Sequence, residues 1–131
     1  MIREISKDGI FIPSYNGNKE LPPAEQIVIK YRIPTITIKN RCRAKPKATG
    51  IANSSGGIDR MEIVIEKDDI TAIKEMLISI SGCYYRCDGK DHAVATALDL
   101  LNAPIIFEPL LKEIAAEFDS VLDRAEIDEK N

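Results

Sequence analysis

Three cysteines and a single histidine are the residues of this 131-residue chain best suited to chemistry: Cys42, Cys83, Cys87 and His92. Thiolate and imidazole are the ligand types of tetrahedral zinc, and C-x3-C-x4-H brings three of them into one short stretch. The spacing opposes a shared ion. On an extended strand, four steps of about 3.3 Å set Cys83 and Cys87 roughly 13 Å apart. Thiolates on one zinc, with bonds near 2.3 Å, must lie within about 4 Å of each other. The four are thus metal candidates that geometry argues against, and reduced thiols with no metal and no cofactor are the expectation.

As the only histidine, His92 would have to carry any Ser-His-Asp or Cys-His mechanism. Asp91 and Asp99 are near it in sequence, yet no nucleophile motif such as G-x-S-x-G accompanies it. A histidine beside an aspartate that caps a helix is ordinary surface composition. The glycines of "NSSGGIDR" lack a P-loop lysine and a G-x-G-x-x-G pattern, so a flexible loop explains them. No catalytic residue is expected, and the chain reads as a non-enzyme.

A third feature is Lys39, Arg41, Arg43, Lys45 and Lys47, cations at every second position. Extended backbone would align all five on one face, where phosphates or carboxylates could meet them. No aromatic residues interleave, and the chain is acidic overall, so nucleic acid is the weaker partner and an acidic protein surface the stronger. Charge is divided along the chain. Residues 1–60 hold 11 Lys and Arg against 5 Asp and Glu; residues 61–131 hold 7 against 16. Such polarity favours self-association or an elongated partner.

These residues must be positioned by a chain the size of one domain, 44% hydrophobic and 30% charged. No run approaches the roughly 20 apolar residues of a spanning helix. The charged N-terminus "MIREISKDGIF" does not suit a signal peptide. No membrane association and a cytoplasmic location are expected. "IVIKYR" (27–32) alternates as a half-buried strand, and after Pro34 "TITIKN" resumes alternation with Ile36 and Ile38. From Arg41 to about residue 58 turn formers and cations suggest a mobile basic loop. "MEIVIEK" is a second strand. Asp68 or Asp69 then caps a helix through Ile70, Ile73, Met76, Leu77 and Ile80, ended by Gly82. "CYYRCDGKD" enters a tight Asp88-Gly89 turn, and Asp91 caps a helix to Leu101 that breaks at Asn102, Ala103 and Pro104. A last helix starts near Pro109, with one stripe of Leu110, Leu111, Ile114, Ala115, Phe118, Val121 and Leu122. Leu111, Ile114, Phe118 and Val121 could close the core or bind a partner helix. Residues 124–131 read as a frayed acidic tail. The class is α+β: a small N-terminal antiparallel sheet, then a helical C-terminal half, in one domain over 1–123.

"FIPSYNGNKELPPAEQIVIKY" (11–31) and "CDGKDHAVATALDLLNAPIIFEPLLKEIAAEFDSVL" (87–122) resemble, in order and spacing, the two halves of phage tail-assembly chaperones, small proteins encoded just before the tape-measure protein. The resemblance covers roughly residues 10–30 and 86–122. It implies a non-enzymatic protein of the host cytoplasm that coats the tape-measure protein, keeps its hydrophobic helices soluble and helps recruit tail-tube subunits. A minor virion protein of the tail or connector is the main rival, and a small metal-dependent enzyme or regulator the second. Many such chaperones also have a longer form made by a −1 ribosomal frameshift. Glu129, Lys130 and Asn131 fit the slippery heptamer A AAA AAC if their codons are GAA, AAA and AAC, so a short form is the further expectation.

Overall fold

A computed structural model describes the backbone of residues 1–52, 58–67 and 69–130, and the side chains of 1–43 and 69–124. In chain order the elements are β1 (Asp8–Phe11), β2 (Val28–Arg32), α1 (Ile36–Cys42), β3 (Arg43–Ala52), β4 (Ile58–Lys67), α2 (Asp69–Met76), β5 (Leu77–Ser81), β6 (Tyr84–Cys87), β7 (Lys90–Ala93), α3 (Ala97–Leu101) and α4 (Glu108–Lys130). Short 3-10 turns lie at Tyr15–Glu20, Pro23–Glu25 and Ile105–Phe107. The class is α+β, as the sequence indicates.

Alternation decides the central strand. Ile29 and Tyr31 of β2 are buried while Lys30 and Arg32 face solvent, which is the half-buried pattern of period two. β2 is the middle of a three-stranded antiparallel sheet in the order β1-β2-β5. Opposite Tyr31 stands Gly9. A Cβ there would fall 2.2 Å from the tyrosine ring, so the missing side chain lets the ring lie across β1. The inner face of this sheet packs under α2 and α4 through Ile73, Met76, Ile80, Leu110, Ile114 and Phe118.

Several elements differ from the sequence expectation. "TITIKN" is helical, because the Thr35 hydroxyl accepts from the Ile38 N–H at 3.1 Å and caps α1. Ile38 and Cys42, four apart, then share the buried face, and Ile36 is left exposed. The segment read as a basic loop is the end of α1 followed by β3, which pairs antiparallel with β4; residues 53–57, with the glycines of "NSSGG", lie outside the described residues. The helix after Asp69 stops at Met76. "LISIS" instead becomes β5, because the free side of β2 offers it a ladder from Val28 to Tyr31, and tertiary pairing overrides local periodicity.

Asp91 does not cap a helix. It lies on β7 and binds Arg86 at 2.7 Å across the hairpin, whose Asp88-Gly89 turn has positive φ at both residues (52° and 75°), as the sequence suggests. Thr96 is the cap of α3: its hydroxyl accepts from Asp99 N at 3.1 Å, and the Asp99 carboxylate accepts from Thr96 N at 3.2 Å. This is the reciprocal capping box. Finally, α4 continues to Lys130, past the point where the polar tail is expected to fray.

Candidate functional site

The prolines and asparagines of the opening stretch build a wall. Asn16 and Gly17 take left-handed conformations (φ 48° and 72°) and turn the chain back on itself. That places Asn18, 1% exposed, inside the loop. Its side-chain amide donates to the carbonyls of Pro13 (2.8 Å) and Ile27 (3.0 Å), and its oxygen accepts from the Ile27 N–H (2.6 Å). Gln26 adds donors to the carbonyls of Lys19 and Leu21, both at 3.2 Å. Two side chains thus satisfy the polar backbone of a loop with no sheet partner of its own.

This loop docks on the far end of the chain. Ser14 donates from N (2.6 Å) and Oγ (3.0 Å) to the Glu113 carboxylate on α4. The Tyr15 hydroxyl donates to the Ile106 carbonyl at 2.8 Å, and its ring lies 6.2 Å from that of Phe107. Gly82 permits the approach on the other side: a Cβ would sit 2.3 Å from the Gln26 carbonyl oxygen, and φ is +76°.

Between the loop, the start of β6 and the 3-10 turn Ile105–Phe107 lies an open groove of about 300 Å³. Ile27, Cys83 and Phe107 form its floor; Leu21, Tyr84 and Ile106 stand on its rim. Glu25 is the one charged residue lining it. Phe107 also floors a second groove of about 250 Å³, lined by Leu101, Ala103, Ile105 and Leu111. The ridge between the two is strongly apolar and strongly exposed: Ile105 81%, Ile106 63%, with Tyr84 at 65% across the first groove. Burying such side chains is worth roughly 1.5–3 kcal/mol each, so this surface can bind apolar matter. No membrane-crossing helix occurs among the described residues.

Of the residues singled out by sequence, the side chains of Lys45 and Lys47 lie outside the described residues. Ile114 and Phe118 are fully buried, Val121 is buried, and Leu111 of the α4 stripe lines the second groove. The stripe closes the domain's own core. The basic residues do not form one row, because helix gives way to strand within them. Lys39 and Arg41 belong to α1, and Arg43, Lys45 and Lys47 to β3. Arg41 binds Glu75 of α2 at 3.2 Å. Arg43, partly buried, grips both Asp119 and Asp123 of α4.

Cys42 and Cys83 are buried and Cys87 is exposed at the hairpin tip. Desolvation raises the Cys83 thiol above its usual pKa. Among the described residues no group of three His, Cys, Asp or Glu side chains is placed to hold a metal ion. His92 stands on β7, stacked on Tyr85 at 4.9 Å. It borders a polar cleft with Asp91, Asp99 and Asn102.

Comparison of the chain with protein-family models, curated proteins and solved structures gives no match. Sequence reasoning passed over Leu21, Glu25, Tyr84, Ile105 and Ile106. One signal was available for the last two: "NAPIIFEP" sets adjacent isoleucines between two prolines, in a helix break where neither helical nor strand periodicity can bury both.

Proposed function

We propose that this protein is a non-enzymatic phage tail-assembly chaperone of the host cytoplasm, which shields apolar helices of the tape-measure protein and helps recruit tail-tube subunits. One observation carries the reading. The two stretches that resemble that family, about 10–30 and 86–122, fold against each other through Ser14–Glu113 and Tyr15–Ile106, and together with Gly82, Cys83 and Tyr84 they bound the open groove. The family-like "NGN", "LP" and "EQ" steps have a structural purpose in this account. They set the loop wall that carries Leu21 and Glu25. An exposed apolar ridge raises a folded protein's tendency to associate, which is a liability for an unpartnered domain and an asset for one that masks another chain.

Co-expression with a tape-measure protein, which this reading expects to be encoded just downstream, tests the proposal. The wild-type chain should keep that protein soluble, the double variant Ile105→Ser, Ile106→Ser should not, and purified particles should lack the chain. A partner that stays insoluble with the wild type overturns the proposal. Finding the chain in finished particles would favour a minor virion protein instead.

A further inference from the structure

The groove bounded by Leu21, Tyr84 and Ile106 has polar groups arranged in a way that selects its occupant. We infer that it takes one face of an amphipathic α-helix bearing a lysine or arginine beside its apolar stripe, the cation meeting Glu25. This deepens the chaperone proposal and rests on it.

The preference for a helix follows from the backbone of the walls. A peptide bound as an extra strand needs unpaired N–H and C=O groups to ladder with. On the loop wall those groups are already taken: the Ile27 N–H and C=O by Asn18, and the Lys19 and Leu21 carbonyls by Gln26. On the opposite wall the Ile106 carbonyl accepts from Tyr15, and the Phe107 N–H donates to the Pro104 carbonyl. The start of β6 on the third side is paired on one edge only, with β7, whereas what these two walls offer is side-chain surface, which suits a partner whose own backbone bonds are internal. An α-helix meets that condition.

The charge preference follows from the rim. Glu25 is the groove's one charged lining residue, is exposed, and has no ionic partner among the described residues. The neighbouring groove also has one charged lining residue, Glu108, and it is held by Lys112 at 3.1 Å. Glu25 is therefore the carboxylate open to a cation. Basic flanks on the partner gain from it, and acidic flanks are repelled.

Fluorescence anisotropy with the full chain decides the matter, using two designed helical peptides that share one apolar stripe and differ in Lys or Glu flanks. A third peptide carries the Lys flanks with a central proline that breaks the helix. The Lys-flanked helix should bind up to about five-fold more tightly than the Glu-flanked one at low salt. Glu25→Gln should erase the preference and Glu25→Lys reverse it. Ile106→Ser should weaken both helices, with its circular dichroism unchanged because Ile106 is exposed. Equal binding of the two helices, equal binding of the proline peptide, or absence of binding overturns the inference. So does self-association of the chain that Ile106→Ser abolishes, since a second copy would then own the groove. The two proposals separate cleanly: loss of the charge preference while the downstream protein is still kept soluble removes this inference alone. Selective peptide binding by a chain that fails to solubilise that protein removes the chaperone reading alone.

Discussion

Replacing Asn18 tests whether a single buried amide holds the groove's outer wall. Asn18→Ala deletes three hydrogen bonds, at 2.6, 2.8 and 3.0 Å. It leaves the Pro13 carbonyl and both polar groups of Ile27 without those partners. A net worth near 1 kcal/mol per bond gives about 3 kcal/mol, and orphaned groups that stay dry push the figure upward. For a chain of this size that corresponds to a fall in Tm on the order of 10 °C. Asn18→Asp keeps the acceptor for the Ile27 N–H but sets a carboxylate against two carbonyl oxygens. It should cost at least as much near neutral pH and recover part of the loss in acid, when the carboxylate is protonated. Urea titration followed by circular dichroism measures both variants, and amide exchange at Ile27 reports the loop itself. An Asn18→Ala loss below about 0.5 kcal/mol, with Ile27 still protected, would refute the reasoning. Water would then be filling the amide's place and the wall would be held by other contacts.

Phe118, fully buried and 5.5 Å from the Tyr31 ring, should cost about 3–5 kcal/mol on change to Ala; a near-neutral effect in a thermal melt would return the α4 stripe to partner binding. Arg43→Ala should cost about 1–2 kcal/mol and less in high salt, since Arg43 and Asp119 are mostly covered while Asp123 is more than half exposed; urea titrations at two ionic strengths check this. Maleimide should label Cys87 fast and Cys42 and Cys83 slowly in the folded chain. Because burial raises the Cys83 thiol, the folded state keeps a proton that the unfolded state loses above about pH 8.5. Stability is unaffected below that pH and falls as pH climbs through it, and Cys83→Ala should flatten this alkaline slope in urea titrations.

Local signals carried those parts of the fold whose partners are close in sequence. The Asp88-Gly89 hairpin needs only positive φ at two adjacent residues, and the α4 stripe needs only its own periodicity. Strand β5 was illegible for the opposite reason. "LISIS" continues a helical rhythm, and what makes it a strand is β2, some fifty residues earlier, where Ile29 faces Ile80. Thr35 and Thr96 were missed as caps because Asp91 and the alternation of "TITIKN" offered competing local readings. The site was harder still. Ile106 reads as a core residue in any hydropathy scheme, and only the geometry of the 3-10 turn, with Phe107 pointing in, leaves it outside.

The separation in sequence of the groove's walls has a consequence for how binding and folding are coupled. Ser14 reaches Glu113, and Tyr15 reaches Ile106, across more than ninety residues, while Gly82 and Cys83 between them supply a third side. No partial chain lacking α4 can present this surface, since the loop wall leans on that helix and the floor residue Phe107 immediately precedes it. A partner that binds the groove therefore binds only the completed fold. By mass action it stabilises that fold by RT ln(1 + [L]/Kd), about 2.7 kcal/mol at a hundredfold excess over Kd. The exposed ridge that burdens the empty domain becomes, once covered, part of what keeps α4 and the opening loop together. Shape, set by the three hydrogen bonds of Asn18, is what the opening stretch contributes to the groove.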